Sequence, residues 1–451
     1  MGFIDGSVLA IAMPAIREGL GATLPQAQWV SNAYMLTLSA LILAGGALGD
    51  RWGTARVLAA GVVGFVILSL LCAAAPNPTV LIAARALQGA AAALMVPGSL
   101  ALIAKAYPEA ERGRAIGIWA AASALTTAAG PLLGGLLLSW GGSGAWRAIF
   151  AANLPLGVLA LWLLRDAQRG KPGDADRPLD LWGALLATLG LGLLAAGLTL
   201  AEGGLPLALG GLVVLAGFVL LEARLAHPMV PLGLFRDRAF ALANLATFAL
   251  YAALSAVLFL LPMLLVAGWG LSEFETSLAF APLSALIFLL SSRFGALADR
   301  YGPAPLIAGG SAVVAAAYAW LALAVGTGSF WAGVMPPMAL AGLGMAMVVA
   351  PLSAAVMSAA GSSDAGAASG INNAVSRAAG LLAVAALGSL AGLAYSGAGG
   401  SLSYGESSAD PAHAEAMTWA FSMSAWVAAA LAALSAALAF RIPRRQARAR
   451  R

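Results

Sequence analysis

Charged side chains are scarce in this sequence. Asp, Glu, Lys and Arg make up 10% of its 451 residues, whereas hydrophobic residues make up 61%. Soluble domains carry about 25% charged and about 45–50% apolar residues. The shortage of charge therefore excludes a soluble globular protein, and no polar stretch is long enough to form a soluble domain. Met1 is not followed by the basic segment and cleavage site of a signal peptide, so we expect none.

Nucleophilic and metal-ligating side chains are also few. Cys72 is the single cysteine, which excludes an intrachain disulfide. His227 and His413 lie far apart in the sequence, and we therefore predict neither a metal site nor a cofactor. The apolar runs contain no HExxH motif and no paired carboxylates, so the sequence argues against a membrane-embedded enzyme. A channel is disfavoured because no ring of charged residues for an ion filter is recognisable.

Long apolar runs are abundant instead. A helix of about 20 apolar residues crosses the roughly 30 Å of hydrocarbon in a bilayer, and these runs lack the alternation of transmembrane β-strands. The sequence predicts an all-α membrane protein with fourteen transmembrane helices. The predicted spans are 2–16, 28–49, 57–75, 80–104, 115–138, 148–164, 181–201, 205–225, 239–267, 277–297, 305–325, 330–357, 365–395 and 417–440.

The basic residues indicate how these spans are oriented. Nearly all of them lie in loops on the same side as the N-terminus; Arg17 and Arg147 fall on the other side, and Arg85 and Arg377 fall within spans. Because positive charge stays in the cytoplasm, we expect a multi-pass protein of the cell (inner) membrane with both termini cytoplasmic. The basic tail 441–451 is predicted to contact anionic lipid headgroups, although it could serve orientation alone.

A short motif occurs twice at the end of a span. Its first copy reads GALGDRWG and its second reads GALADRYG. The residues singled out are Gly46, Asp50, Arg51 and Gly53 in the first copy and Gly295, Asp299, Arg300 and Gly302 in the second. Two copies in equivalent positions indicate an internal duplication, and we interpret them as gating loops, with a simple tight turn as the alternative.

Eight predicted spans separate the two copies, whereas a plain six-span repeat would give six. The seventh and eighth spans are therefore interpreted as a helix pair inserted between two six-helix bundles. The predicted organisation is an N-terminal bundle (1–165), linker loops with the inserted pair (166–238), a C-terminal bundle (239–440) and a basic cytoplasmic tail (441–451).

Several motifs together resemble those of the major facilitator superfamily, in particular its drug/proton antiporter branch with fourteen spans. The duplicated loop is similar to the superfamily's signature loop, and FIDGSVLAIAMPAI, from Phe3, is similar to the first-span motif of the branch. WRAIFAANLPLG resembles the entry to the sixth span of that branch. ARALQGAAAALMVPGS resembles the fourth-span motif, with Arg85, Gln88 and Gly89 in the matching positions. AAGPLLGGLLL resembles the fifth-span antiporter motif, with Gly130, Pro131, Gly134 and Gly135.

The resemblance implies the major facilitator fold and a non-enzymatic transporter that works by alternating access. It further implies export of small amphipathic or cationic molecules, such as drugs and antiseptics, in exchange for protons. The alternative on the same fold is a proton-coupled importer or exporter of a specific metabolite. Expected partners are the small-molecule substrate, protons and membrane lipids; no nucleic acid is expected, and we expect a monomer.

Asp5 is the residue that we expect to handle protons. A charge at the centre of a membrane helix costs about 2.5–3.5 kcal/mol, and such residues generally face a water-filled cavity on an ion or substrate path. The resemblance implies that Arg85 helps proton transfer, and a pairing of the two residues is plausible because the first and fourth spans line the cavity in this superfamily. The alternatives are a favourable interaction of Asp5 with the helix dipole and a structural or snorkelling role for Arg85.

Two further expectations concern the first span and the cavity. The predicted first span covers only about 22 Å at 1.5 Å per residue, so we expect a shortened first helix whose native form begins upstream of Met1. The alternative is a start at Met1, with a short first helix and Asp5 reached by cytoplasmic water. Polar, aromatic and methionine side chains within other spans are candidates for lining the cavity, with ordinary helix packing as the alternative. These candidates are Asn32, Tyr34, Tyr251, Met263, Met345, Asn373 and Arg377.

Overall fold

The computed structural model describes residues 2–107, 111, 130–139, 141, 144–165, 167, 179–200 and 203–443. These residues form helices and turns. Most of the predicted fifth span, the linker loop 168–178 and the basic tail beyond residue 443 lie outside the described residues. The helices are α1 (Gly2–Leu20), α2 (Leu24–Trp52), α3 (Thr54–Ala73), α4 (Pro78–Ala106), α5 (Gly130–Ser139), α6 (Trp146–Ala151), α7 (Asn153–Leu164), α8 (Leu181–Thr199), α9 (Leu205–Glu222), α10 (Arg238–Met263), α11 (Glu273–Leu278), α12 (Ala281–Tyr301), α13 (Pro303–Ala324), α14 (Met335–Gly397) and α15 (Pro411–Phe440).

The prediction of fourteen transmembrane helices is not matched. Within the described part of the chain, twelve helices are long and apolar enough to cross a membrane. Two predicted spans account for the difference. The first forms α1 but carries three charged residues, Asp5, Arg17 and Glu18, and is not among the twelve. The fifth is described only over Gly130–Ser139, which is too short to cross.

Helix α1 also ends later than predicted. It continues past residue 16 to Leu20, so its length is about 28 Å at 1.5 Å per residue. Arg17 belongs to its last turn, and its Nε donates a hydrogen bond to the carbonyl of Ala22 at 3.2 Å. A basic side chain that binds a carbonyl beyond the helix end is typical of a C-terminus, and this explains why the charge extends the helix.

The twelfth and thirteenth predicted spans are joined by helix rather than by a loop. Both lie on α14, which the structure describes as 63 residues of continuous helix. The apolar stretches on this helix are Phe330–Ala360, which begins in a preceding π-turn, and Gly366–Gly397. The polar residues between them indicated a loop in the sequence, but helical backbone hydrogen bonds satisfy their main chain equally well.

The chain divides into two compact units. The first contains Met1–Pro231 with the short segments Ser272–Phe274 and Val384–Ser389, and the second contains the remaining described residues. In the first unit, α2 packs along α4, α3 packs on α4, and the pair α8–α9 packs on α2 through α8. The helix pair predicted as an insertion therefore belongs to the first unit.

Small residues let α2 and α4 approach each other closely. A Cβ placed on Gly45 would overlap the backbone carbonyl of Ala93, and one placed on Gly89 would overlap the carbonyl of Tyr34. Gly46, the next residue along α2, meets only the Pro97 side chain at an ordinary 3.7 Å. The α2–α4 contact thus depends on the absence of a side chain at two positions, as is common in membrane helix pairs.

In the second unit, α15 packs against both α10 and α13. Buried hydroxyls join the three helices: Ser435 Oγ of α15 donates to the carbonyl of Ala246 at 3.0 Å and lies 3.1 Å from Ser311 Oγ of α13. Hydrogen bonds of this kind add to van der Waals packing between membrane helices.

The two copies of the duplicated motif form the same turn. Gly53 alone separates α2 from α3 and has φ +97°, and Gly302 alone separates α12 from α13 and has φ +83°. Only glycine adopts this region without strain. The backbone conformation therefore requires a glycine at the end of each copy. This requirement is compatible with both interpretations of the motif, the tight turn and the gating loop.

Gly45→Ala should weaken the α2–α4 contact, because the new methyl group would meet backbone atoms of Ala93 that cannot move aside. We expect a loss of about 1–3 kcal/mol in stability, the usual cost of overpacking, measured as a lower thermal unfolding midpoint of the purified protein in detergent. Gly46→Ala is the matched control, since its methyl group has space. Equal midpoints for the two variants would contradict the close approach.

Candidate functional site

Asp5 of α1 and Arg85 of α4 form a buried ion pair. Arg85 Nη1 lies 2.5 Å from Asp5 Oδ2, and both side chains are 1% exposed. A carboxylate and a guanidinium taken out of water are each costly unless they are paired and hydrogen-bonded. The structure therefore brings together the two residues for which the sequence predicts a proton-handling role.

Other groups complete the surroundings of the Arg85 guanidinium. Its Nη1 also donates to Gln88 Oε1 at 2.6 Å, and its Nε donates to the carbonyl of Val30 on α2 at 3.3 Å. Its Cζ lies 4.1 Å from the centre of the Tyr34 ring and 5.7 Å from that of Phe150. An aromatic face attracts a cation through its quadrupole, so the positive charge is stabilised on several sides.

Spacing along α4 explains why these groups converge. Arg85, Gln88 and Gly89 lie three and four residues apart, which places them on one face of the helix. Gly89 allows the backbone of α2 at Tyr34 to come close, and this brings the Tyr34 ring and the Val30 carbonyl to the guanidinium. The helix itself starts at Pro78 behind the cap residue Asn77, whose side chain accepts from the Val80 N–H at 3.0 Å.

Two polar atoms of the cluster have no hydrogen-bond partner in the described part of the chain. They are Asp5 Oδ1 and Gln88 Nε2, and both are buried. Buried polar atoms in native structures are nearly always satisfied, so an exception at an ion pair indicates a place that a proton, a water molecule or a ligand group can occupy. Asp5 thus has one oxygen bonded to Arg85 and one oxygen without a partner among the described residues.

Cys72 of α3 is a further neighbour of the ion pair, through Gln88. Its Sγ lies 3.6 Å from Gln88 Oε1, and the side chain is fully buried. On the same helix, Ser69 Oγ donates to the carbonyl of Phe150 at 2.8 Å and accepts from Asn153 Nδ2 at 3.0 Å. These bonds fix the start of the sixth predicted span beside the ion pair.

The fifth-span motif contacts the helix that carries Asp5. A Cβ on Gly134 would lie 2.6 Å from Val8 Cγ1, one turn after Asp5 on α1. Gly130, Pro131 and Gly135 of the same motif are also buried. The glycine at position 134 therefore permits close packing of α5 on α1, and the roles that the resemblance implies for this motif stay predictions.

Charged residues of the duplicated loops are more accessible than the ion pair. Asp50 and Arg51 are half-buried at the end of α2, whereas Asp299 and Arg300 are exposed at the end of α12. Arg300 Cζ lies 5.3 Å from the Tyr301 ring. Their predicted gating role stays a prediction.

The cavity candidates do not form one cluster. In the first unit, Tyr34 contacts Arg85, and both polar atoms of Asn32 are buried without a partner in the described residues. In the second unit, Tyr251 lies within electrostatic range of Arg377. The Nε atom of Arg377 is buried and has no hydrogen-bond partner among the described residues.

The remaining candidates lie elsewhere in the second unit. Asn373 Nδ2 donates to the Ser369 carbonyl at 3.1 Å. Met263 and Met345 are fully buried in the packing of that unit. Their predicted cavity role is neither supported nor contradicted by these contacts.

Sequence reasoning did not anticipate three neighbours of the ion pair. Tyr34 was a cavity candidate, but its contact with a cation was not predicted; Phe150 and Cys72 were not assigned to the site. Phe150 belongs to the WRAIFAAN stretch that resembles a family motif, which was the available signal. For Cys72 the sequence offers no signal beyond its position in an apolar run.

Asp5→Ala should destabilise the protein strongly, because it leaves Arg85 buried without its counter-charge. Removal of one partner of a buried ion pair typically costs about 3–5 kcal/mol. Asp5→Asn should cost less, since its amide oxygen still accepts from the guanidinium. The double variant Asp5→Ala/Arg85→Met, which buries no charge, should recover part of the loss in a thermal unfolding measurement. Additive losses in the double variant would contradict the pairing.

Cys72 provides a direct probe of the same cluster. It is the single cysteine of the chain and is fully buried beside Gln88. We expect negligible reaction with a maleimide in the folded protein, full reaction in denaturing detergent, and faster reaction in Asp5→Ala than in Asp5→Asn. Fast labelling of the folded wild-type protein would show that the cluster is open.

Comparison with known proteins adds an independent observation. A family model described as Major Facilitator Superfamily matches residues 1–384. The methylenomycin A resistance protein of Bacillus subtilis (strain 168) is 34% identical over 309 residues, which are 67% of this chain and 66% of that protein. The tetracenomycin C resistance and export protein of Streptomyces glaucescens is 31% identical over 359 residues, which are 76% of this chain and 64% of that protein. The chain thus spans less than two thirds of the length of these relatives.

A solved structure shares the fold. The crystal structure of a bacterial homologue of the human lysosomal transporter Spinster, inward-facing and unoccupied, matches with a TM-score of 0.71 over 97% of this chain and 93% of that chain. Sequence identity is 17%, so this likeness concerns the fold alone.

Proposed function

Because the chain belongs to the Major Facilitator Superfamily, a family of transporters rather than enzymes, we propose that this multi-pass membrane protein exports small amphipathic molecules in exchange for protons. Cationic drugs and antiseptics are the substrate class we favour. The observation that carries the proposal is the buried pair of Asp5 and Arg85, in which Asp5 Oδ1 has no partner in the described residues.

Two relatives support the export direction. One is named for resistance to methylenomycin A, and the other for resistance to and export of tetracenomycin C. Both names describe resistance to a named compound, and the second also describes its export. The proposed substrate of this chain is accordingly a small molecule with a large apolar surface.

Asp5 is the proposed proton carrier. In the ionised state it is held by Arg85 through Oδ2. A proton that reaches Oδ1 neutralises the carboxylate and weakens its attraction to the guanidinium, which then depends on Gln88 and the Tyr34 ring for stabilisation. The ion pair therefore has two proposed states. Asp5 is either protonated and separated from Arg85, or ionised and paired with it, and alternating access couples such states to transport.

The proton gradient supplies enough energy for this exchange. One charge moved through 100 mV gives about 2.3 kcal/mol, and about 1.4 kcal/mol corresponds to a tenfold change in an equilibrium. One proton per substrate thus supports a gradient of roughly fortyfold at 100 mV.

The proposal includes an arrangement in the cell membrane. We propose fourteen spans, with α1 and the segment that ends in α5 as the two beyond the twelve, and cytoplasmic termini on the basis of the basic loops. The helix ends and glycine turns at Gly46–Gly53 and Gly295–Gly302 act as gates. The Gly130–Gly135 motif controls exchange through the packing of Gly134 on α1. The working unit is a monomer in contact with lipid.

Proton flux in proteoliposomes tests the function. Purified protein is reconstituted into vesicles, and a proton gradient with an acidic interior is imposed. A panel of lipophilic cations and uncharged antibiotics is then added, and a pH dye inside the vesicles is followed. We expect substrates to dissipate the gradient with wild-type protein and the effect to disappear with Asp5→Asn, because an amide carries no exchangeable carboxyl proton. Glu18→Gln, an exposed acid on the same helix, is the matched control and should retain activity.

Each outcome is informative about a different part of the proposal. Substrate-driven flux that persists in Asp5→Asn would remove Asp5 from the coupling step while leaving the exporter intact. Movement of substrate in the same direction as the protons, rather than in the opposite direction, would indicate proton-coupled import instead of export. An absence of proton movement with every compound would contradict proton-coupled export of this class.

A further inference from the structure

Two carboxylates meet at the base of the α8–α9 pair. Asp180 is the cap residue of α8, and its Oδ1 accepts from the Gly183 N–H at 2.8 Å. Glu222 is the last residue of α9, and its Oε2 accepts from the Val230 N–H at 2.8 Å. One oxygen of each carboxylate therefore has a defined structural partner, one at the start of α8 and one in the chain that leaves α9.

The other two oxygens face each other. Asp180 Oδ2 and Glu222 Oε1 both lie against the position that a Cβ would take on Gly183. Both atoms are buried and have no hydrogen-bond partner in the described residues, and the Glu222 side chain is 2% exposed. The missing side chain at Gly183 leaves the space in which these two unpartnered oxygens come together.

Positive charge does not compensate the pair within the described part of the chain. Neither carboxylate has an ion-pair partner there, and the groups that act on Glu222 are Asp180 and the backbone N–H groups of Met229 and Val230. Arg224 and His227, in the segment after α9, are exposed.

The helices that carry and contact the pair add few charges of their own. Helix α8 has no titratable side chain, and Glu222 is the only one on α9. Helix α2, which packs on α8, carries Asp50 and Arg51 near its end, and these have interactions of their own. Two carboxylates whose facing oxygens are both buried cannot both be ionised without strong repulsion.

We propose that Asp180 and Glu222 bind one proton between Asp180 Oδ2 and Glu222 Oε1. The proton comes from water and leaves the pair with a single negative charge, delocalised over an O–H···O hydrogen bond. Carboxylates that share a site are known to retain one proton in this way. The shared proton joins the first turn of α8 to the last turn of α9 and to the segment at Val230. This site is separate from Asp5 and Arg85 and does not depend on the proposed transport.

Infrared spectroscopy of the full-length protein at neutral pH tests the proposal. A protonated carboxyl group has a C=O absorption that an ionised carboxylate lacks, and it shifts in D2O. We expect wild-type protein to show one such carboxyl group that is lost in Glu222→Gln and also in Asp180→Asn. Asp410→Asn is the matched control, because Asp410 likewise caps a helix but is exposed. The control should leave the signal unchanged.

Stability provides a second readout. Glu222→Gln should keep the thermal unfolding midpoint near that of wild type, because its amide N–H replaces the shared proton as donor to Asp180. Glu222→Ala should lower the midpoint. Retention of the full protonated-carboxyl signal in both Glu222→Gln and Asp180→Asn would overturn the proposal. Stabilisation by sodium that Glu222→Gln removes would also overturn it, since a metal cation rather than a proton would then occupy the site.

Discussion

A charge within hydrocarbon needs a neutralising partner inside the protein, and the first unit is organised around this constraint. Asp5 and Arg85 neutralise each other at 2.5 Å. A buried ion pair of this kind adds little net stability, because the cost of removing two charges from water is close to the attraction gained. The proposed role of the pair in transport therefore depends on what happens when one charge is altered. Addition of a proton to Asp5 converts a closed pair into an uncompensated cation, which must find water or move.

Close helix packing makes the ion pair possible. Arg85 lies one turn before Gly89 on the same face of α4, and the backbone of α2 at Tyr34 approaches at that glycine. A larger residue at Gly89 would separate the helices and withdraw both the Tyr34 ring and the Val30 carbonyl from the guanidinium. Gly134 has the equivalent effect between α5 and α1 near Asp5. Residues without chemistry of their own thus determine the environment of those that have it.

Different parts of this arrangement were predictable to different degrees. Asp5 and Arg85 were found because charges within apolar runs need partners, and the family resemblance implied that the two could pair. The apolar runs themselves predicted most helices within a few residues. Helix ends were harder, because Arg17 extends α1 by binding a carbonyl beyond its end and the polar residues in the middle of α14 remain helical. The contacts of Tyr34 and Phe150 with the cation depend on helix rotation, which periodicity does not specify in a helix that is apolar on all sides.

The pairing of Asp180 with Glu222 was missed for a related reason. Each residue borders an apolar run rather than lying within one, so each looked like part of a solvated linker. Burial of Glu222 results from the packing of α9 on α8, with contacts so close that a Cβ on Gly211 would lie 2.5 Å from the Leu194 backbone nitrogen. Such contacts are a property of the folded pair and not of either segment alone.

The two acidic sites differ in the group that neutralises them, and this difference supports the proposal that Asp5 serves transport. At Asp5 the neutralising group is a fixed cation, so a proton or a cationic molecule that arrives competes with Arg85 and changes the contact between α1 and α4. At Asp180 and Glu222 the proposed neutralising group is the proton itself, and its binding would strengthen the contact between α8 and α9. A site in which proton binding weakens the contact between two helices can couple the proton to helix movement. A site in which proton binding strengthens that contact holds its helices together. This argument favours the ion pair as the proposed transport element and the carboxyl pair as a proposed link between α8 and α9.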